Sequence, residues 1–116
     1  MKYVILIMDT PEARALSEAE QGAWMTEVLA WYEKWGTSGE LVDGGEQLDS
    51  ADKARTIRAT GITDGPFMEA KEVLGGYSAL QTSTIDEAVE IARTWPGVDR
   101  GWITIEVRPV FGTTSR

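Results

Sequence analysis

Residues 3 to 8 read Tyr-Val-Ile-Leu-Ile-Met, six apolar side chains in a row. A run this short, with β-branched residues in it, is a strand, and a strand apolar on both faces must be covered on both. It belongs at the centre of a sheet, and the rest of the chain, or a partner, has to supply the cover.

Two helices are legible. Ser17 opens the first, with Glu20 three residues on, a pair that satisfies free amide groups at a helix start. Trp24, Val28, Trp31 and Trp35 recur at helical spacing, flanked by Met25, Leu29 and Tyr32, so a wide apolar stripe is available to a sheet. Three tryptophans on one face would also make a ligand platform, but covering a sheet is the simpler use. Gly36 and Gly39 end this helix. Thr84 and Glu87 repeat the capping pattern ahead of Ile85, Ala88, Ala92 and Trp95, and Pro96-Gly97 stops the second helix.

The remaining segments read as strands and connections. Residues 9–16, with Pro11 among polar neighbours, read as a loop. Residues 40–48 read as a short strand kinked at Gly44-Gly45, and residues 49–53 as a polar turn. Residues 54–60 alternate, but the Ile57 face is only partly apolar, which places them at an edge or in a projecting hairpin. Residues 75–82 and 100–110 complete the strands. The expected fold is α+β, a ferredoxin-like βαββαβ sandwich with an inserted hairpin or loop: an antiparallel sheet with both helices on one face. Residues 1–111 are expected to form a single domain and residues 112–116 a flexible tail.

With both helices on one face, the other face lacks cover. In the last strand Ile103, Ile105 and Val107 point one way, and Trp102, Thr104, Glu106 and Arg108 the other. The aliphatic set is expected to meet the helices. The open face then carries half of the Tyr3–Met8 run together with Trp102. A second copy of the chain is its expected cover, as a homodimer packed sheet against sheet. Glu106 and Arg108 would pair on that face or line a pocket there.

Composition narrows the chemistry. Eleven basic residues against 19 acidic ones give a net charge of −8, which argues against nucleic acid and against an anionic membrane surface as partners. There is no cysteine and no histidine. Disulfides, thiolate nucleophiles, Ser-His-Asp catalysis and His- or Cys-ligated metals are therefore excluded. No metal and no cofactor is expected. Proton chemistry would rest on Asp, Glu, Lys or Tyr with shifted pKa values. The apolar run is far too short to span a bilayer, and a cytoplasmic location is expected.

The segment "TDGPFMEAKEVLGGY", residues 63–77, concentrates polar groups. Asp64, Gly65 and Pro66 signal a turn, and Phe67 offers an anchor. Glu69, Lys71 and Glu72 follow, and Gly75-Gly76 permits a bulge or a close backbone approach before Tyr77. By pattern the segment is first a fixed loop between strands, with Asp64 fixing the turn.

The same segment is similar to the run that characterises the DGPF branch of the YCII-related family. Other stretches agree in order: "MKYVILI" resembles the family's opening strand, "GELVDGGEQL" its glycine-rich second strand, "DEAVEIARTWPG" its second helix and "IEVRPV" its closing strand. The resemblance covers residues 1 to about 111. It implies a dimeric α/β barrel built from ferredoxin-like subunits. It also implies, for this branch, genes found beside extracytoplasmic-function sigma factors and a biochemical role that is generally unassigned. The wider family includes lyase-like and dehalogenating enzymes with a His-Asp pair proposed as catalytic. This chain has no histidine, so that pair does not carry over.

Two functions follow as expectations. In the first, a dimer in a regulatory setting binds a small molecule, with Asp64, Lys71, Tyr77, Glu106 and Arg108 around the ligand. In the alternative, a lyase- or isomerase-type enzyme uses Asp64 or Glu69 as a base whose pKa burial has raised. A module that binds no ligand and only contacts other proteins is the plainest use of such a dimer.

Overall fold

The computed structural model describes residues 1–65 and 72–112. Along the chain these form β1 (Lys2–Asp9), α1 (Pro11–Arg14), α2 (Glu18–Ser38), β2 (Leu41–Gln47), β3 (Arg55–Arg58), β4 (Gly61–Asp64), β5 (Val73–Gln81), α3 (Ile85–Ala92) and β6 (Ile103–Pro109). Four strands make one antiparallel sheet in the order β2-β5-β1-β6, and among the described residues β3 and β4 pair only with each other. The architecture is mixed α+β, with the Tyr3–Met8 run in an inner strand as its composition requires.

Alternation in β1 divides the sheet. Tyr3, Ile5 and Ile7 are buried, while Val4, Leu6 and Met8 are half-buried. The first set meets Val28 and Trp31 of α2 and Ala88 and Ile91 of α3, so both long helices lie on one face. Ile103, Ile105 and Val107 join that face, as expected. Trp31 meets Trp95 and Tyr32 at ring-centroid distances of 6.5 and 5.0 Å, and its indole N–H donates to Thr94 Oγ1 at 3.0 Å, so the buried polar edge is satisfied.

The helix ends follow their capping chemistry. Ser17 and Glu20 form the reciprocal capping box, and α2 runs through Gly36 to stop at Gly39, whose φ of 96° suits a residue without a Cβ. The second helix is shorter than its periodicity suggests: α3 ends at Ala92, and Trp95 is held by the following turn through its amide on Ala92 O. Residues 9–16 are not all loop. Thr10 caps a single turn, α1, accepting from the amide of Ala13, and Pro11 stands at the helix start where its missing N–H costs nothing.

One face assignment needs correction. Trp102 does not lie on the open face. Strand alternation starts only at Ile103, because the amide of Trp102 is bonded to Gly97 O and Gly101 turns the chain with φ 74°. The ring sits on the helix side, edge-on to Trp24 at 5.3 Å, with the Arg100 guanidinium 4.4 Å from its centroid. Arg100 in turn pairs with Glu27 of α2 at 3.1 Å.

The two double glycines both lie on the seam between β2 and β5, Gly45 against Tyr77 and Gly76 opposite Gln47. A Cβ on Gly45, whose φ is 67°, would lie 1.7 Å from Tyr77 O, and one on Gly76 would lie 2.9 Å from Glu46 O. Gly75 is the extra residue where the β1–β5 register shifts between Ile7 and Met8.

Candidate functional site

A cavity of about 500 Å³ lies between α2 and the end of the sheet where β1 leaves it. Its walls are mainly apolar, among them Ile7, Trp24, Val28, Leu29 and Trp95, with Gly44, Gly75 and Gly76 closing the sheet side. That volume suits a small organic molecule.

Asp9 supplies the half-buried carboxylate of a lining that also includes Arg14 and the exposed Glu46. In β1 it continues the row Tyr3, Ile5, Ile7, so alternation turns its side chain toward the helices, opposite Ile103 of β6. Burial pushes its carboxyl above the usual range, and Arg14, on α1, pulls it partly back. Gly75 leaves room beside it, since a Cβ there would stand 3.2 Å from Asp9 Oδ2.

Tyr32 is held by a directed hydrogen-bond chain. The Ser78 hydroxyl donates to Gly44 O at 2.8 Å, so it accepts from the Tyr32 hydroxyl, also at 2.8 Å. The Tyr32 oxygen accepts from the Trp95 indole at 3.4 Å. Ser78 is fully buried, and this chain satisfies it while fixing the ring that lines the cavity. Trp24 is fixed as well: its indole donates to Pro96 O at 2.8 Å, and Gly97 lets the backbone lie against its ring.

Of the residues named from sequence, Gly75 and Gly76 line the cavity, and the other described ones stand elsewhere. Asp64 ends β4 with its side chain 87% exposed and 3.1 Å from Arg55 Nε. It therefore closes the base of the hairpin as an ion pair and lacks, within one chain, the burial a carboxylate base needs. Gly65 follows with φ 93°, its amide on Ala54 O. Glu72 is exposed just before β5. Pro66, Phe67, Glu69 and Lys71 lie outside the described residues. Tyr77, Glu106 and Arg108 all fall on the open face, where Leu6 lies opposite both Tyr77 and Glu106. Glu106 and Arg108 make an exposed ion pair at 3.5 Å. Asp64, Tyr77, Glu106 and Arg108 do not line the cavity.

Sequence reasoning passed over Asp9 and Tyr32. The signal for Asp9 was present: an acid at the end of an alternating buried row. Among the described residues no group of three acidic side chains is placed to hold a metal ion, and no helix is long and apolar enough to cross a membrane.

The sequence pattern of the YCII-related domain matches residues 1–113. The chain belongs to the YCII-related family. An uncharacterized protein of Rhizobium meliloti (strain 1021) is 29% identical over 114 residues, covering 95% of this chain and 92% of that one. Among solved structures, this YCII-related chain is similar to 5-chloro-2-hydroxyhydroquinone dehydrochlorinase from Burkholderia phenoliruptrix in complex with 2,5-dihydroxybenzoquinone. The TM-score is 0.56 at 15% identity, with 95% of this chain and 93% of that chain covered. That likeness is one of fold.

Proposed function

We propose that this YCII-related protein binds a small, single-ring molecule in the cavity beneath α2, with a hydrogen-bond donor of the ligand on the Asp9 carboxylate. The observation that carries this is the cavity itself: about 500 Å³, walled by apolar and aromatic side chains, with one half-buried carboxylate at the end of the sheet's buried row. The ring ligand in the solved dehydrochlorinase supports the size. Saturation-transfer NMR with 4-methylphenol, its methyl ether and benzoate tests the reading. The phenol is expected to bind, the ether more weakly and benzoate least. Leu29→Trp, which enlarges an exposed side chain at the rim, is expected to abolish the signal. Equal signals with and without that substitution, or none from any ring, would overturn the proposal.

A second reading, turnover of the bound molecule, is favoured by one observation: the carboxylate with raised proton affinity in a cavity is Asp9, so Asp9 takes the role of base that the sequence suggested for Asp64 or Glu69. Asp9→Asn then keeps ring binding and loses turnover.

The subunit also works as a homodimer in this proposal. Val4, Leu6 and Met8 of β1 and Ala79 and Tyr77 of β5 form an apolar band on the open face, flanked by Asp43 and Glu46 on one side and Glu106 and Arg108 on the other. The chain exposes 7758 Å², against roughly 6,300 Å² for a compact monomer of this mass. A standard interface buries about 800 Å² per partner. A sigma-factor-associated setting for the dimer is what the resemblance to the DGPF branch implies, and the cytoplasmic location is the one expected from the short apolar run.

A further inference from the structure

The hairpin of β3 and β4 is an unusual thing for a small protein to leave standing. Each strand is four residues long, and among the described residues the two pair only with each other. A two-stranded ribbon alone in water is marginally stable. What ties it down at its base is local: the Arg55–Asp64 ion pair, the Gly65 amide on Ala54 O, and the Thr56 hydroxyl donating to Gly65 O at 2.8 Å. The ion pair is exposed and contributes little.

On one face of the ribbon Ile57 and Ile62 stand directly opposite each other, 76% and 67% exposed. A cross-strand pair of β-branched residues is normally how a sheet gains stability by burial. Here the pair meets water on the side away from the ribbon. The arm leaves the sheet between the end of β2 and the start of β5, the same two strands that carry part of the open face.

We infer that the β3–β4 hairpin is a dimer arm, its Ile57–Ile62 face seated on a second copy of this chain beside the sheet-to-sheet contact. This rests on the open-face dimer proposed above and adds a second contact to it. A second copy is the occupant because the surface beyond that of a compact monomer is on the order of 1,500 Å², more than the ~800 Å² one standard interface takes per partner. The arm's only polar pair on that face, Arg55 with Asp64, is already neutral, so the contact it offers is apolar and needs no charged partner.

Analytical ultracentrifugation of the wild type and of the Ile57→Asp, Ile62→Asp double variant provides the test. Both side chains are exposed, so the variant's far-UV spectrum at monomer concentration is expected to match the wild type, while its dimer dissociation constant rises at least tenfold. The chain lacks cysteine, so Ile57→Cys carrying an environment-sensitive fluorophore gives an independent readout. Its emission moves to shorter wavelength as concentration crosses the dimer range. A wild type that stays monomeric at high micromolar concentration overturns the open-face dimer and the arm with it. A wild-type dimer with an unchanged variant and a concentration-independent emission overturns the arm alone.

Discussion

A carboxylate at the end of a buried row costs stability whenever it is charged. Asp9 is such a group, its pKa raised chiefly by desolvation and lowered in part by Arg14. The native state therefore holds the Asp9 proton more tightly than the unfolded chain. Stability due to this group is highest below the unfolded value near 3.8 and falls as pH rises through the raised native value. Asp9→Asn removes the charge, so its melting temperature at pH 7 is expected to exceed that of the wild type, with the gap closing as pH is lowered toward 4. A melting difference that does not change with pH would contradict the assignment. At this scale the sequence spoke through patterns of neighbours. It gave Asp64 prominence because that residue stands in a dense polar motif. Asp9 was hidden because its setting depends on which face of β1 the helices cover.

The elements were read more fully. Both capping patterns pointed to the starts of α2 and α3, because a cap is chemistry among residues a few positions apart; the box is reciprocal only in α2, whereas at α3 Thr84 caps the Glu87 amide and the Glu87 carboxylate accepts from Ser83 N–H. The double glycines were legible as a kink at Gly44-Gly45 and a bulge or close approach at Gly75-Gly76, but what they approach was not, because β2 and β5 come from separate parts of the chain. Their roles now differ sharply. Gly45→Ala puts a methyl group into Tyr77 O at a positive φ and is expected to cost roughly 2–5 kcal/mol, lowering the melting temperature by roughly 10 °C or more. Gly44→Ala meets nothing within 4 Å and is expected to be near neutral. Thermal unfolding of the two variants side by side checks this; similar losses would mean the β2–β5 seam is not built as described. Trp102 was misplaced for a related reason: alternation was extended one residue past the strand, into a turn fixed by a hydrogen bond to Gly97 that no periodicity reveals.

At the scale of the molecule, the central strand and the one-sided helices were written in the Tyr3–Met8 run and the two amphipathic stripes. The cavity was not. It exists where α2 stands off the end of the sheet, and a gap between elements leaves no mark in the periodicity of either one. The stripe read as cover for a sheet serves two ends: Trp31 is buried in the core, while Trp24 and Leu29 wall the cavity. This division allows a direct measurement of where the ligand sits. Each of the five tryptophans contributes one indole N–H signal in a ¹⁵N–¹H spectrum. Titration with 4-methylphenol is predicted to shift the signals of Trp24 and Trp95, which line the cavity, and to leave that of Trp35, which does not, in place. A titration in which Trp24 and Trp95 stay fixed while the phenol binds would contradict the site.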